Sequence, residues 1–232
     1  MINKIVGNLT DAVSDFFDGA ILMIGGFGDA GSPIELIHAV IDHGAKDLTV
    51  ISNNAGSGHV GLAALIEHKR VKKIICSFPK TANSKVFPDL FFKGEIELEL
   101  NPQGTLAERI RAGGAGIPAF YTPTSVNTPL AAGKEIRIIN GKENVLEFAL
   151  KADFTLVKCK AADRYGNLIY NKTARNFAPI MCMASKTTIV QTQKIVEPGG
   201  INPECVVTPG IFVNRVIDRK STRLNSSHGI IS

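Results

Sequence analysis

Short apolar runs rich in β-branched residues alternate with stretches of helical periodicity through the first half of the chain. The runs are AILMI (20–24), LTVIS (48–52), KIIC (73–76) and IELEL (96–100), followed by FTLVK (154–158), LIY (168–170) and TTIV (187–190). Helix-like segments lie at 9–18, 33–43, 60–68, 84–92 and 105–112. Strand, helix and strand in succession make a βαβ crossover, and such crossovers build parallel sheets. Several runs are apolar at every position, as strands covered on both faces must be. The predicted class is therefore α/β, an open, mostly parallel sheet with helices on both faces. Around IELEL the pattern alternates instead, with Glu95, Glu97 and Glu99 on one side, which predicts a strand with one wet face.

No long linker divides the 232 residues. The stretch GGAGIPAFYTPTSVNTPLAAG (113–133) is rich in glycine, proline and threonine but too patterned for a flexible tether. One domain is the simplest organisation. The last fifteen residues, DRKSTRLNSSHGIIS, carry three bases and one acid, a net +2 of the chain's +5. DRKSTRLNSSH resembles a translated sequencing adapter. The domain is expected over 1–217, with 218–232 a non-native, disordered tail; a genuine basic tail is the alternative.

The remaining +3 forms no basic stripe, and the chain has no tryptophan, so no nucleic-acid partner is expected. No apolar run reaches the length of a membrane span, and the N-terminus lacks the apolar core of a secretory leader, which together predict a cytoplasmic protein that does not associate with membranes. Cys76, Cys159, Cys182 and Cys205 make no C-x-x-C pair, so buried thiols are expected rather than a metal site or a disulfide framework. His38, His43, His59 and His68 have no triad-like context and read as ordinary helix residues.

GGFGDAGSP (25–33) separates the first apolar run from IELIHAVIDHG and contains a G-x-G-x-x-G match at Gly26, Gly28 and Gly31. Ser32 is a candidate N-cap, Pro33 suits the first helical position and Gly44 suits the helix end. Glycines let backbone N–H groups approach an anion, so the loop fits a phosphate-bearing ligand. A dinucleotide would also need an acidic residue at the end of the next strand. Asn53 and Asn54 stand there instead, which argues against nicotinamide or flavin.

DGAILMIGGFGDAGSP (18–33) resembles the signature of the family I coenzyme A transferases, in the A (alpha) subunit. The resemblance continues through ISNNAG (51–56), NPQGTLAERIRAGGAGIPAFYTPT (101–124), GNLIYNKTARNFAP (166–179) and VVTPGIFVNRVI (206–217), covering nearly the whole chain before the tail. It implies the NagB/RpiA-like fold of that family and the transfer of CoA between carboxylic acids. A glutamate carboxylate attacks the donor thioester to give a mixed anhydride; the released thiolate re-forms an enzyme thioester, and the acceptor acid reverses these steps. Coenzyme A is then a substrate, and no permanently bound cofactor is implied. The implied donor is succinyl-CoA and the acceptor a 3-oxoacid, with 3-oxoadipate ahead of short-chain 3-oxoacids.

The family's nucleophile lies in a Ser-Glu-Asn-Gly motif of the B (beta) chain. None of the eleven glutamates here has that neighbourhood, so the chain is expected to hold no catalytic nucleophile and to work in an A/B pair or a dimer of such pairs. Glu108 faces Arg111 at i,i+3 and reads as a surface pair. The resemblance assigns CoA binding to Gly25, Gly26, Phe27, Gly28, Asp29, Ala30 and Gly31. It brings Gln103, beside Gly104, to the reacting carbonyl, although Gln103 also fits an ordinary loop. Asn53 and Asn54 suit a substrate carboxylate or an asparagine turn closing the strand. Gly113, Gly114 and Gly116 suit backbone approach to the site or tight packing. Arg175 and Asn176 suit a substrate's distal carboxylate, a salt bridge or a contact with the partner chain.

One departure stands out: Ser125 and Asn127 occupy positions where the family carries glycines after YTPT. Non-glycine residues there would strain a turn of positive φ. A CoA- or nucleotide-binding regulatory module that has lost catalysis is the alternative this departure leaves open.

Overall fold

A computed structural model describes residues 2–80 and 84–218. The chain runs α1 (Leu9–Ala12), β1 (Ile21–Ile24), α2 (Ile34–His43), β2 (Leu48–Ile51), α3 (Leu62–Glu67), β3 (Val71–Cys76), α4 (Val86–Phe92), β4 (Glu97–Leu100) and α5 (Gln103–Ala115). It continues through β5 (Ala119–Thr122), β6 (Ile136–Ile139), β7 (Lys142–Phe148), β8 (Ala152–Cys159), β9 (Ala161–Asp163) and β10 (Leu168–Ile169). Last come α6 (Ala178–Met183), β11 (Ser185–Thr192), β12 (Ile195–Val196) and β13 (Arg215–Asp218). Asp218, placed with the tail on sequence grounds, is the last residue of β13 and lies opposite Thr192. The rest of that stretch, 219–232, lies outside the described residues.

Seven strands form one sheet in the order β13-β11-β8-β1-β2-β3-β4, and every neighbouring pair is parallel. Successive strand residues point to opposite faces. Leu22 and Ile24 join Leu36, Ile37, Leu62, Leu65 and Phe87 in a core beneath α2, α3 and α4. Met23, Ile51 and Ile75 meet Leu106, Ile110, Phe177 and Met181 beneath α5 and α6. The helices therefore cover both faces, as the apolar strands require.

The sequence pattern and the structure part at several elements. The helix expected over 9–18 ends at Ala12. Phe16 turns inward instead and stacks on Phe154, with ring centroids 4.1 Å apart. Ser32 does not cap α2: the N-cap position is Pro33, and no side chain caps there. Gly44 does close that helix, left-handed at φ 91°. Glu95, Glu97 and Glu99 do not make a uniformly wet face. Glu99 is partly buried and pairs with Lys73 Nζ at 2.6 Å and Arg109 Nη1 at 2.8 Å. Cys76, Cys159 and Cys182 are buried as expected, and burial pushes each thiol up to about 12; Cys205 is exposed.

Two small three-stranded sheets, β10-β9-β12 and β5-β7-β6, were not expected. The second carries the chain from 119 to 148, and a cluster of charges anchors it to the main body. Arg109, 9% exposed, donates from Nε to the Phe148 carbonyl at 2.7 Å and from Nη1 to Asn101 Oδ1 at 2.6 Å and to Glu99. Glu147, 2% exposed, receives Lys134 Nζ at 2.6 Å. Breaking one member of such a buried cluster leaves an uncompensated charge.

At Glu99, burial favours the neutral acid, but hydrogen bonds and charge from Lys73 and Arg109 outweigh it and lower the carboxyl from 4.5 to about 2. A carboxylate depressed in the fold stabilises above its unfolded pKa, and that stability is lost as pH falls. Urea titrations should therefore show stability draining away between pH 4.5 and 2. Glu99→Gln should lower stability at pH 7 and flatten that acid limb.

Ser125 and Asn127 adopt φ 78° and 60°, so the turn keeps its left-handed geometry without glycine. Left-handed backbone costs an ordinary L-residue about 1–2 kcal/mol, asparagine least. Ser125→Gly should raise stability by about 0.5–1 kcal/mol in denaturant titration, the relief of strain being offset in part by a looser unfolded chain. Asn127→Gly should be close to neutral.

Candidate functional site

In a wholly parallel sheet every strand ends at the same edge. The loops that follow β1, β2, β3 and β4 therefore gather side by side. From β1 the chain builds outward through β2, β3 and β4, and only later adds β8 on the other flank. The edge between β1 and β8 is thus a topological switch point, where open α/β sheets leave a crevice for ligands.

The glycine loop, 25–31, lies at that point. Phe27 and Ala30 exchange backbone hydrogen bonds at 3.0 and 3.2 Å, closing a tight turn over Gly28 and Asp29. Gly25 N–H is taken by the Leu156 carbonyl at 2.9 Å and Gly26 N–H by Asn176 Oδ1 at 3.1 Å. Most amides of the loop are therefore spent inside the protein. Among the described residues no partner is found for the N–H groups of Gly28, Asp29 and Gly31, so any anion cradle is confined to the tip. The glycines have separate reasons. A Cβ on Gly25 would press on Val157 Cγ1 at 3.3 Å, and one on Gly31 would collide with the Ala174 carbonyl oxygen. Around Gly28 there is open space.

Asn176 is the side chain that holds this loop. Besides accepting from Gly26, its Nδ2 donates to the Ala30 carbonyl at 3.0 Å and to the Ala174 carbonyl at 3.1 Å, and its Oδ1 also receives Phe177 N–H at 2.7 Å. Of the readings open to Asn176, this structural role is the one the geometry supports, because both ends of its amide are engaged. Arg175, next to it, is exposed, and no ion pair is found for it among the described residues.

Asn53 and Gln103 are brought together. Asn53 follows β2 by two residues, is 4% exposed, and its Oδ1 accepts from Gln103 Nε2 at 2.8 Å and from Ser77 Oγ at 2.9 Å. Ser77 was not singled out in the sequence; only the parallel register of β2 and β3 places it opposite Asn53. A primary amide has two N–H donors. With one given to Asn53, the exposed Gln103 amide keeps one to offer outward. Asn54 Oδ1 accepts from Gly56 N–H at 2.8 Å, the asparagine turn that closes the strand. Phe27, Gly28, Asn53, Asn54, Ser77, Phe78 and Gln103 line a cleft of about 510 Å³. Phe27 and Phe78, 51% and 61% exposed, form its apolar rim.

Gly114 and Gly116 are not brought to this cleft. Both belong to the far end of α5, eleven residues and more beyond Gln103, or roughly 16 Å along a helix. A Cβ on Gly114 would stand 2.6 Å from Met183 Cβ, so this glycine lets α5 close on α6. Gly113 is packed against the Leu150 carbonyl, and Gly116 is the left-handed C-cap at φ 75°. Gly104, the second residue of α5, has open space around it next to Gln103. Glu108 and Arg111 form the expected exposed pair at 2.6 Å. His38 Nε2 accepts from Gly61 N–H at 3.2 Å, and His59 pairs with Glu67 at 3.1 Å.

Residues 6–219 match the family model described as coenzyme A transferase. The chain is 55% identical to the A chain of the 3-oxoadipate CoA-transferase of Pseudomonas putida over 217 residues, which is 94% of each chain. It is 48% identical to the A chain of a probable succinyl-CoA:3-ketoacid coenzyme A transferase of Bacillus subtilis, covering 93% of this chain and 90% of that one. Among solved structures, the acyl-CoA transferase of Escherichia coli O157:H7 in a thioester complex with CoA superposes with a TM-score of 0.83 at 20% identity. That match covers 94% of this chain, which spans half the length of the other. Glutaconate coenzyme A-transferase of Acidaminococcus fermentans gives a TM-score of 0.78 at 20% identity, covering 92% of this chain and 75% of that one.

The dependence of the loop on the 174–176 backbone is open to measurement. Gly31→Ala should cost roughly 2–4 kcal/mol, combining left-handed strain with the collision at Ala174. Gly28→Ala, strained but unobstructed, should cost about 1 kcal/mol. Equal losses in a denaturant titration would mean that the loop does not rest on that segment.

Proposed function

The chain belongs to the coenzyme A transferase family, and we propose that it is the alpha component of a heteromeric enzyme that moves CoA from succinyl-CoA to a 3-oxoacid, 3-oxoadipate in the first place. The observation that carries this reading is the meeting of the glycine loop, Asn53 and Gln103 at one sheet edge, in a chain whose sequence resembles such components almost end to end. In this reading the nucleophilic glutamate comes from the partner beta chain, and CoA passes through as a substrate. Each half-reaction runs through a tetrahedral oxyanion, which needs donors aimed where its charge develops. Gln103 supplies one: Asn53, itself held by Ser77, fixes the amide, and Gln103 lines the cleft with its second N–H left to donate. The unpartnered amides of Gly28, Asp29 and Gly31 supply contacts for CoA.

The exposed Phe27 and Phe78 leave the cleft half open, which suits closure by a partner chain. An A/B pair, or a dimer of such pairs, completes the site. Among the described residues no helix is long and apolar enough to cross a membrane; a cytoplasmic location is part of the proposal. The alternative of a non-catalytic regulatory module loses its support, because Ser125 and Asn127 keep the left-handed turn that glycine would provide.

The test is CoA transfer from succinyl-CoA to 3-oxoadipate, followed with this chain alone, with its beta partner, and with Gln103→Ala in the pair. The chain alone should be inactive and the pair active. Gln103→Ala should lower kcat by roughly ten- to a thousandfold with little change in KM, as loss of an oxyanion donor does. Robust transfer by the single chain would overturn the proposed division of labour.

A further inference from the structure

A second cleft, of about 600 Å³, is lined by Tyr170, Lys172, Thr173, Arg175, Asn176 and Val207, and Asn176 connects it to the glycine loop. It has the size of a small-molecule site. Its lining holds two cations and no acid. Lys172 and Arg175 stand three residues apart in one short turn, and both line the cleft. Neither has an ion pair among the described residues. Two cations so placed repel each other, and burying them next to an anion converts that repulsion into binding.

The backbone adds an independent observation. Lys172 at φ 50° and Asn176 at φ 28° bracket this turn in left-handed conformations that non-glycine residues adopt at a cost. Such strain persists where the surroundings over-determine it, and it gathers at functional sites. Asn176 is held by its bonds to Gly26, Ala30 and Ala174. That same side chain lines the cationic cleft and binds the glycine loop, whose Phe27 and Gly28 line the Gln103 cleft, so the two clefts are linked through one loop.

We propose that Lys172 and Arg175 form a subsite for an oxyanion on the far part of the bound substrate, away from the carboxyl group that reacts near Gln103. Resting on the reading above, the inference deepens it: the complex prefers substrates that carry a second negative group. A remote carboxylate of a dicarboxylic acid and a phosphate of CoA share this chemistry, and kinetics separates them.

The experiment uses the complete A/B complex carrying Lys172→Ala, Arg175→Ala, both together, or Arg175→Lys. Succinyl-CoA and acetoacetyl-CoA serve as donors, with 3-oxoadipate and acetoacetate as acceptors. Both residues are exposed, so melting temperature should stay at the wild-type value. The double variant should raise KM roughly ten- to a hundredfold for the ligand that brings the oxyanion, with kcat held within about twofold. A loss confined to succinyl-CoA and 3-oxoadipate identifies a remote carboxylate. A loss shared by both CoA donors, with the acids unchanged, identifies a CoA phosphate. Arg175→Lys should recover part of the loss, and added salt should weaken binding less in the double variant than in the wild type.

KM values within twofold of wild type for all four ligands would overturn the subsite. So would loss of the beta partner on size-exclusion chromatography, which would make the turn a contact between chains. If the unaltered complex transfers no CoA, it is the proposed function that fails; an active wild type with indifferent variants rejects the subsite alone.

Discussion

The parallel direction of all seven main strands is the constraint on which the site depends. It forces every return of the chain to cross over a face of the sheet, so both faces are buried and the strands need no polar side. It also delivers the ends of β1, β2, β3 and β4 to one edge. The glycine loop, Asn53, Ser77 and Gln103 are separated by tens of residues in the chain and meet only because their strands stop together. Had one of these strands run the other way, its following loop would have emerged at the opposite edge.

Rigidity at that edge comes from hydrogen bonds spent inward. Asn176 reaches across from the segment before α6 to bind both sides of the glycine loop. Asn53, itself buried, uses one oxygen to hold Gln103 and Ser77. The polar groups of these asparagines are satisfied inside the protein, so what faces outward is a smaller and better oriented set: the loop tip and one N–H of Gln103. Preorganisation of this kind keeps donors where charge develops without reorganising them during the reaction. Farther out, Arg109 ties Glu99, Asn101 and the Phe148 carbonyl together. α5, whose first residue is Gln103, is thus fastened at its middle to the small antiparallel sheet as well as to β4.

The legibility of the sequence varied with how local the cause was. Strands such as LTVI and TLV announced themselves by continuous apolar, β-branched residues. Gly44 announced the end of α2 because only a left-handed residue closes a helix in that way. The β6–β7 hairpin carried a local signal too, Asn140–Gly141 between two extended runs, both left-handed at φ 51° and 74°, and such a pair is a strong hairpin turn. The polar, charged sequence around it masked the strands. The shortened α1 had no local signal: Phe16 fits a helix as well as it fits a stack on Phe154. Gly113 and Gly114 fitted backbone approach to the site as well as tight packing, and only the proximity of α6 and Leu150 decides for packing, inside α5.

By itself the sequence determined the α/β class, the parallel direction of the sheet, the glycine loop after the first strand and the family resemblance, because each rests on residue patterns a few positions long. Which side chains meet was decided by tertiary structure alone. Asn53 touches Gln103, and Asn176 grips a loop 150 residues earlier in the chain, because strand order and helix packing set those distances. The role of each glycine followed in the same way. Whether it approaches a ligand or another part of the backbone depends on what occupies the space beside it, and no sequence spacing encodes that.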